Sequence, residues 1–260
     1  MKLLLRLFGL LVLLTLLRPG EACAQGVAFS CDGTFYQIKQ PSGESTSFLY
    51  KVDRSTAAYS TQPLDINLLN GISTNNLGVL LNGLAYNPQD GYLYALTTSG
   101  LGGYNSEGSL YLYKIGQGTD AQGNKVPGIV QVSASPVTVS GTNLGITVST
   151  GTFDKAGNYY FTAQNTGGTS DYNLYKLPVA NVTASAVAAT VLPLSQTTTM
   201  YDMALNPLDG QLYGSNWSGS LYKINPATGT VTTIADSPNA NQAAASVGTM
   251  FFDVAGNFYQ

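Results

Sequence analysis

The chain has no histidine. That removes Ser-His-Asp and Cys-His catalysis, and any zinc or copper site built on imidazole. Cysteine is nearly missing too, with Cys23 and Cys31 alone. Charge is sparse: Asp, Glu, Lys and Arg make up 10% of the residues, against about 25% in an ordinary domain. Lys and Arg number 11 against 14 Asp and Glu, so the chain is acidic. An acidic surface repels phosphate backbones and anionic bilayers, which argues against nucleic acid and membrane-surface partners. Phosphate-loop and dinucleotide signatures are absent, and Gly100 to Gly103 reads as a loop because no strand-to-helix context surrounds it. No Asp-x-Asp-x-Asp-Gly run suggests calcium. The expectation is therefore no metal, no cofactor and no catalytic residue.

Long apolar runs are scarce as well. The one conspicuous run, Leu3 to Leu17, follows Met1 and Lys2 and is broken by Arg18, Pro19 and Gly20. Ala22-Cys23-Ala24 then offers the small residues of a signal-peptidase site. The run falls short of the roughly 20 apolar residues of a membrane span. Residues 1–24 thus read as a signal peptide and 25–260 as one exported domain, secreted or at the cell surface, with the periplasm as an alternative. Lipidation of Cys23 is a second alternative, disfavoured because Gly20 stands where an aliphatic residue is expected. After cleavage at Ala24, Cys31 has no partner for an internal disulfide and reads as a small buried residue.

What fills the gap left by charge is Gly, Ser, Thr, Asn and Tyr, arranged in a repeat. One unit is a strand, a Gly turn and a second strand ending in an aromatic. Its copies turn at Asp32-Gly33, Asp90-Gly91, Gly157-Asn158, Asp209-Gly210 and Gly256-Asn257. Such dipeptides favour tight hairpins because the turn needs positive φ. The first four copies are followed by Leu49-Tyr50-Lys51-Val52, Leu112-Tyr113-Lys114-Ile115, Leu174-Tyr175-Lys176-Leu177 and Leu221-Tyr222-Lys223-Ile224, then by a more variable fourth strand. Candidates for that fourth strand are Ala57 to Ser60, Ile129 to Val132, Ala186 to Leu192 and Thr228 to Ile234. Four antiparallel strands recurring every 45 to 65 residues, roughly, are the pattern of propeller blades. A β-sandwich series would have a longer period, and a β-helix a shorter one. The expected fold is an all-β propeller of four-stranded blades, with four blades complete and a fifth begun at Met250. The last strand pair then has no evident place to close, so the chain reads as part of a longer protein.

The Asn-Pro-x-Asp-Gly-x-Leu-Tyr copies at Asn87 to Tyr94 and Asn206 to Tyr213, with the Leu-Tyr-Lys strands, resemble a bacterial propeller-like domain of unknown function. Such domains lie near the N-termini of large secreted or surface proteins of Bacteroidetes and other bacteria. The resemblance implies export, a propeller-like fold and further domains of the same polypeptide beyond Gln260. It supplies no catalytic residues.

The recurring Asp residues read as turn formers, the tyrosines as blade packing and the lysines as solvated edges. Function is expected on the opposite rim, in the loops joining second and third strands. There Tyr104, Glu107, Asp171, Tyr172, Asn216 and Trp217 mix aromatic and polar groups suited to a glycan or protein ligand. Trp217, the one tryptophan, is the leading contact candidate, with packing against a neighbouring blade as its alternative. The function expected is non-catalytic binding or display at the cell surface. The alternatives are an exported lyase or glycoside hydrolase using carboxylates or tyrosines, or a structural spacer.

Overall fold

The alternating apolar and polar residues of the repeat do form strands. In the computed structural model the described residues are all-β apart from one 3-10 turn, Val179–Asn181. The structure describes residues 26–259 except 31–32, 54, 70–71, 99–108, 145–146, 165–171, 197, 199, 217–218 and 236–249. The leader segment and Cys31 lie outside the described residues.

In the first unit, β1 (Phe35–Lys39) pairs antiparallel with β2 (Phe48–Val52), and a hairpin of β3 (Asn67–Leu69) and β4 (Ile72–Thr74) follows. The second unit is a sheet in chain order: β5 (Leu81–Tyr86), β6 (Leu93–Thr97), β7 (Leu112–Ile115) and β8 (Ile129–Gln131). A short hairpin, β9 (Val137–Val139) and β10 (Thr142–Asn143), precedes the third unit. That unit runs β11 (Val148–Phe153), β12 (Asn158–Gln164), β13 (Tyr172–Pro178) and β14 (Val187–Leu192). Here β9 adds in parallel to the outer strand β14, giving a six-stranded sheet that the repeat pattern does not announce. The fourth unit is β15 (Asp202–Leu205), β16 (Leu212–Ser215), β17 (Leu221–Ile224) and β18 (Val231–Ala235). Last come β19 (Phe251–Phe252) and β20 (Phe258–Tyr259), an antiparallel pair.

Two strand placements in the first unit also differ from the sequence-based expectation. Its fourth strand, placed at Ala57 to Ser60, is reduced to a single bridge between Tyr59 and Val52. Its first strand, placed at Val27 to Phe29, does not pair with β1. The Phe29 amide donates to Gly91 O at 2.8 Å, and Val27 exchanges backbone bonds with Thr119 and Gln117 of the second unit. The hydrophobic gain explains this: Phe29 is buried in the seam between the first two units, 4.8 Å from the Tyr36 ring. Burying such a ring contributes about 1.5–3 kcal/mol.

Apolar seams join successive sheets face to face. Tyr36, Ile38 and Leu49 pack on Leu93 and Ile115; Tyr94, Leu96 and Leu112 pack on Phe153, Tyr159 and Phe161; Tyr160 and Leu174 pack on Met203 and Leu212. The first strands lie side by side, β5 against β11, β11 against β15 and β15 against β19. This serial stacking of sheets with first strands inside is propeller-like. The closing pair, for which the sequence suggested no place, meets the first sheet: the Phe251 ring lies 4.1 Å from that of Phe35. The two make no shared sheet. No helix among the described residues is long and apolar enough to cross a membrane.

Candidate functional site

The recurring aspartates sit in the hairpins at one rim, and the structure shows what occupies them. In Asp154-Lys155-Ala156-Gly157-Asn158, Asp154 Oδ1 accepts the Ala156 and Asn158 amides, and Oδ2 accepts Asn158 Nδ2 at 2.7 Å. Gly157 supplies the positive φ, 77°, that the turn requires. Asp253 repeats these bonds with Ala255 and Asn257. So does Asp120 with Gln122 and Asn124, in the loop between β7 and β8 where no copy of the repeat was expected. Those bonds favour the ionised form and hold Asp120 and Asp253 below the usual carboxylate range, led by the asparagine side chain. With oxygens turned to their own backbones, these residues are turn locks. No cluster able to hold a metal ion occurs among the described residues. Asp32 lies outside them.

A second pattern joins the repeats. Each second-strand tyrosine stands directly across from the third-strand lysine: Tyr36 opposite Lys51, Tyr94 opposite Lys114, Tyr160 opposite Lys176 and Tyr213 opposite Lys223. Asp90 Oδ2 accepts the Tyr94 hydroxyl at 2.7 Å and pairs with Lys114 Nζ at 3.1 Å. Asp209, Tyr213 and Lys223 repeat the arrangement at 2.8 and 3.0 Å. Sequence reasoning placed these lysines at solvated edges; Lys51 is exposed there, whereas Lys114 also lies 3.8 Å over the Tyr92 ring. Their regular spacing from Asp and Tyr was the available signal. Burial pushes the buried tyrosines up, Tyr160 to about 12 with help from Asp154, so they are poor bases at neutral pH.

The opposite rim carries the links from second to third strands. Tyr104, Glu107, Asp171 and Trp217 lie outside the described residues. Tyr172 opens β13 in register with Gln164. Asn216 closes the turn between β16 and β17: its Nδ2 donates to the Tyr222 hydroxyl at 2.9 Å and its Oδ1 accepts the Ser220 amide at 2.9 Å. It therefore shapes the loop that carries Trp217.

Just inside this rim, the starts of the inner strands hold polar groups that the sequence reading passed over. Asn82 Nδ2 on β5 donates to Val148 O on β11 at 2.9 Å. Thr150 on β11 donates its hydroxyl to Asp202 Oδ1 on β15 at 2.8 Å. Asp202 Oδ1 also accepts the Met203 amide at 2.8 Å, while its buried Oδ2 has no hydrogen-bond partner among the described residues. Burial dominates and pushes this carboxyl up to about 6, against the Thr150 hydroxyl and the nearby Met203 and Met250 amides, which favour its charge. Asp202 stands where Thr150 and Gly83 stand in the preceding units, and a carboxylate at that inward place was the clue. Such a group can accept another hydrogen bond and changes charge in mild acid.

Residues 35–260 match the model of a family described as a repeat of unknown function, DUF6923. The chain belongs to the DUF6923 repeat family. No curated protein matches it in sequence. Among solved structures, this DUF6923 chain is similar to a chain of a nidogen/laminin complex, with 13% identity, a TM-score of 0.50, and coverage of 85% of this chain and 66% of that one. It is also similar to a protein of unknown function from Bacteroides thetaiotaomicron VPI-5482, with 14% identity, a TM-score of 0.52, and coverage of 91% and 52%. These likenesses bear on fold alone, and the chain spans about two thirds and about half of the two neighbours.

The DUF6923 turn makes a local prediction. Asp154→Ala removes the acceptor of three short bonds within the hairpin and is expected to lower stability by about 1–3 kcal/mol. Urea unfolding of the variant measures this; an unchanged midpoint would mean that Gly157 and Asn158 hold the turn unaided.

Proposed function

We propose that this chain is an exported, non-catalytic binding or display module whose ligand, a surface glycan or protein, is held by the rim carrying the second-to-third-strand loops. In this reading the sheets are propeller blades, three of them with four strands in chain order and the first and last with two, in a bacterial cell-surface or secreted protein. The observation that carries it is the division of labour between the two rims. At the hairpin rim the described aspartates are engaged in their own turns, whereas the loops of the other rim carry, in sequence, Tyr104, Asp171, Tyr172 and Trp217 beside the turn-forming Asn216. Loops on a rigid β scaffold are where binding groups concentrate.

The enzyme alternative needs two carboxylates about 5–10 Å apart, or a tyrosine that ionises readily. Among the described residues Asp202 is the rim carboxylate with a raised pKa, and its described side-chain partner is Thr150. The buried tyrosines are shifted away from ionisation.

Glycan-array and surface-protein binding by the chain without residues 1–24 tests the proposal. Trp217→Ala is expected to weaken binding by about tenfold or more, the usual scale for an aromatic anchor, with thermal unfolding unchanged. Loss of the fold in that variant would return Trp217 to packing. Turnover of a glycan substrate would replace the binding reading with the enzymatic one.

A further inference from the structure

Asn82 and Gly83 stand side by side near the start of β5, just inside the loop rim. The fold fixes both. A Cβ at Gly83 would come within 2.6 Å of the Tyr159 hydroxyl and 3.0 Å of Val148 Cγ1, on a backbone with φ at +69°. That place needs glycine. Asn82 is exposed, yet its Nδ2 holds Val148 O of the third unit at 2.9 Å. Asparagine therefore stands directly before glycine, where the following backbone nitrogen has no side chain crowding it.

The backbone at this pair also leaves the ladder. Register between β5 and β6 breaks after Asn82 and resumes at Ala85. Gly83 thus has no register partner on β6, and its amide donates to Asn82 Oδ1 at 2.8 Å. With a C=O length of about 1.23 Å, that contact leaves the Gly83 nitrogen no more than about 4 Å from Asn82 Cγ. Reacting atoms in a near-attack arrangement lie about 3–3.5 Å apart, so a small rotation brings this pair into range. The bond from Nδ2 to Val148 O keeps the side-chain amide turned this way.

We propose that Asn82 is a self-modification site, where the Gly83 nitrogen displaces the side-chain amide as ammonia and water then leaves aspartate or isoaspartate at position 82. Hydroxide takes the Gly83 amide proton. The nitrogen's electron pair bonds to Cγ, and the Cγ–Nδ2 bond breaks as ammonia departs with a proton from water. The result is a five-membered succinimide. Water opens that ring at either carbonyl, breaking one C–N bond and forming one C–O bond. Opening at Cγ gives aspartate, and opening at the main-chain carbonyl gives isoaspartate. Both products lack the Nδ2 donor to Val148 O and add a negative charge at the seam between the second and third units. The proposal does not depend on what the loop rim binds.

The test incubates the folded chain without its first 24 residues in mildly alkaline buffer made with heavy-oxygen water. A free peptide copying Leu80 to Asn87 is incubated beside it. Peptide mapping by mass spectrometry should show Asn82 of the folded chain converting at least as fast as in the peptide. Both aspartate and isoaspartate should form, each with one labelled oxygen. Asn82→Gln keeps an amide donor but must close a larger ring, so conversion at position 82 should be lost. The comparison of folded chain with peptide leaves the protein unaltered, so misfolding cannot imitate its result. Conversion of the peptide while position 82 of the folded chain keeps its amide overturns the proposal, because the fold would then hold the two atoms apart. Aspartate formed without isoaspartate also overturns it, since water and not the Gly83 nitrogen would then be the nucleophile.

Discussion

Tyr159→Ala is expected to lower stability by about 3–5 kcal/mol, the range for removing a large ring from a packed core. Tyr159 is fully buried in the seam between the second and third units. Its ring lies 5.0 Å from Phe153 and 5.4 Å from Phe161, and Phe161 stacks in turn on Tyr175 at 5.3 Å. Truncation therefore breaks a continuous row of aromatic contacts and leaves a cavity that neighbouring strands cannot fill without shifting. The hydroxyl does separate work, donating to Gly83 O on the inner strand of the preceding unit. Close approach makes that bond possible: a Cβ at Gly151 would collide with Gly83 O and with the Tyr159 hydroxyl. Tyr159→Phe keeps the ring and loses only the bond, so about 1–3 kcal/mol is expected. Against a total of about 5–15 kcal/mol, the alanine variant should unfold at markedly lower urea than the phenylalanine one. Equal midpoints for the two variants would show that the hydroxyl, not the ring, holds the seam.

Tyr160, the neighbour of Tyr159, illustrates what was legible in the sequence. A packing role follows from its recurrence with Tyr94 and Tyr213, and Tyr160 is buried; the third strands Leu112–Ile115, Tyr172–Pro178 and Leu221–Ile224 fall where the Leu-Tyr-Lys runs stand. Hairpins were legible because Asp-Gly and Gly-Asn dictate local backbone geometry. Less legible were contacts between units. Phe29 leaves its repeat for the second unit, and β9 pairs in parallel with β14; both depend on tertiary burial, which no short window encodes. The part Lys114 plays was missed for a related reason. Alternation alone places Lys114 at a surface, but only strand register sets it beside Tyr94 and Asp90. At the loop rim, Asn216 was picked as a contact residue because of its company. The structure gives it a turn-forming role as well. Asp202 escaped notice because nothing beside it in sequence marks it. Its neighbours Met203, Ala204 and Leu205 read as an ordinary strand, and its burial arises from β11 and β19 closing over it.

That burial has a measurable consequence in the pH dependence of folding. Asp202 is raised from 3.8 to about 6, so the folded chain holds its proton more tightly than the unfolded chain does. Stability from this residue is fully present below pH 3.8 and is lost as pH rises through about 6. The loss amounts to about 3 kcal/mol at neutral pH, taking 1.36 kcal/mol for each pKa unit. Asp53, Asp120 and Asp253 act in the opposite sense, because their lowered values make stability fall only as pH drops below the ordinary carboxylate range. The two effects occupy separate windows and can be read apart. Asp202→Asn keeps an oxygen for the Thr150 hydroxyl and the Met203 amide but cannot ionise. Its amide group sits less well near the Met250 amide, so its absolute stability is not the decisive reading; its slope is. Urea unfolding between pH 4 and 7 should show the parent chain losing stability relative to Asp202→Asn, with the difference levelling above pH 7. Parallel profiles across that window would mean that Asp202 is solvated in the native chain, and that the inner ends of β11, β15 and β19 stand open to water.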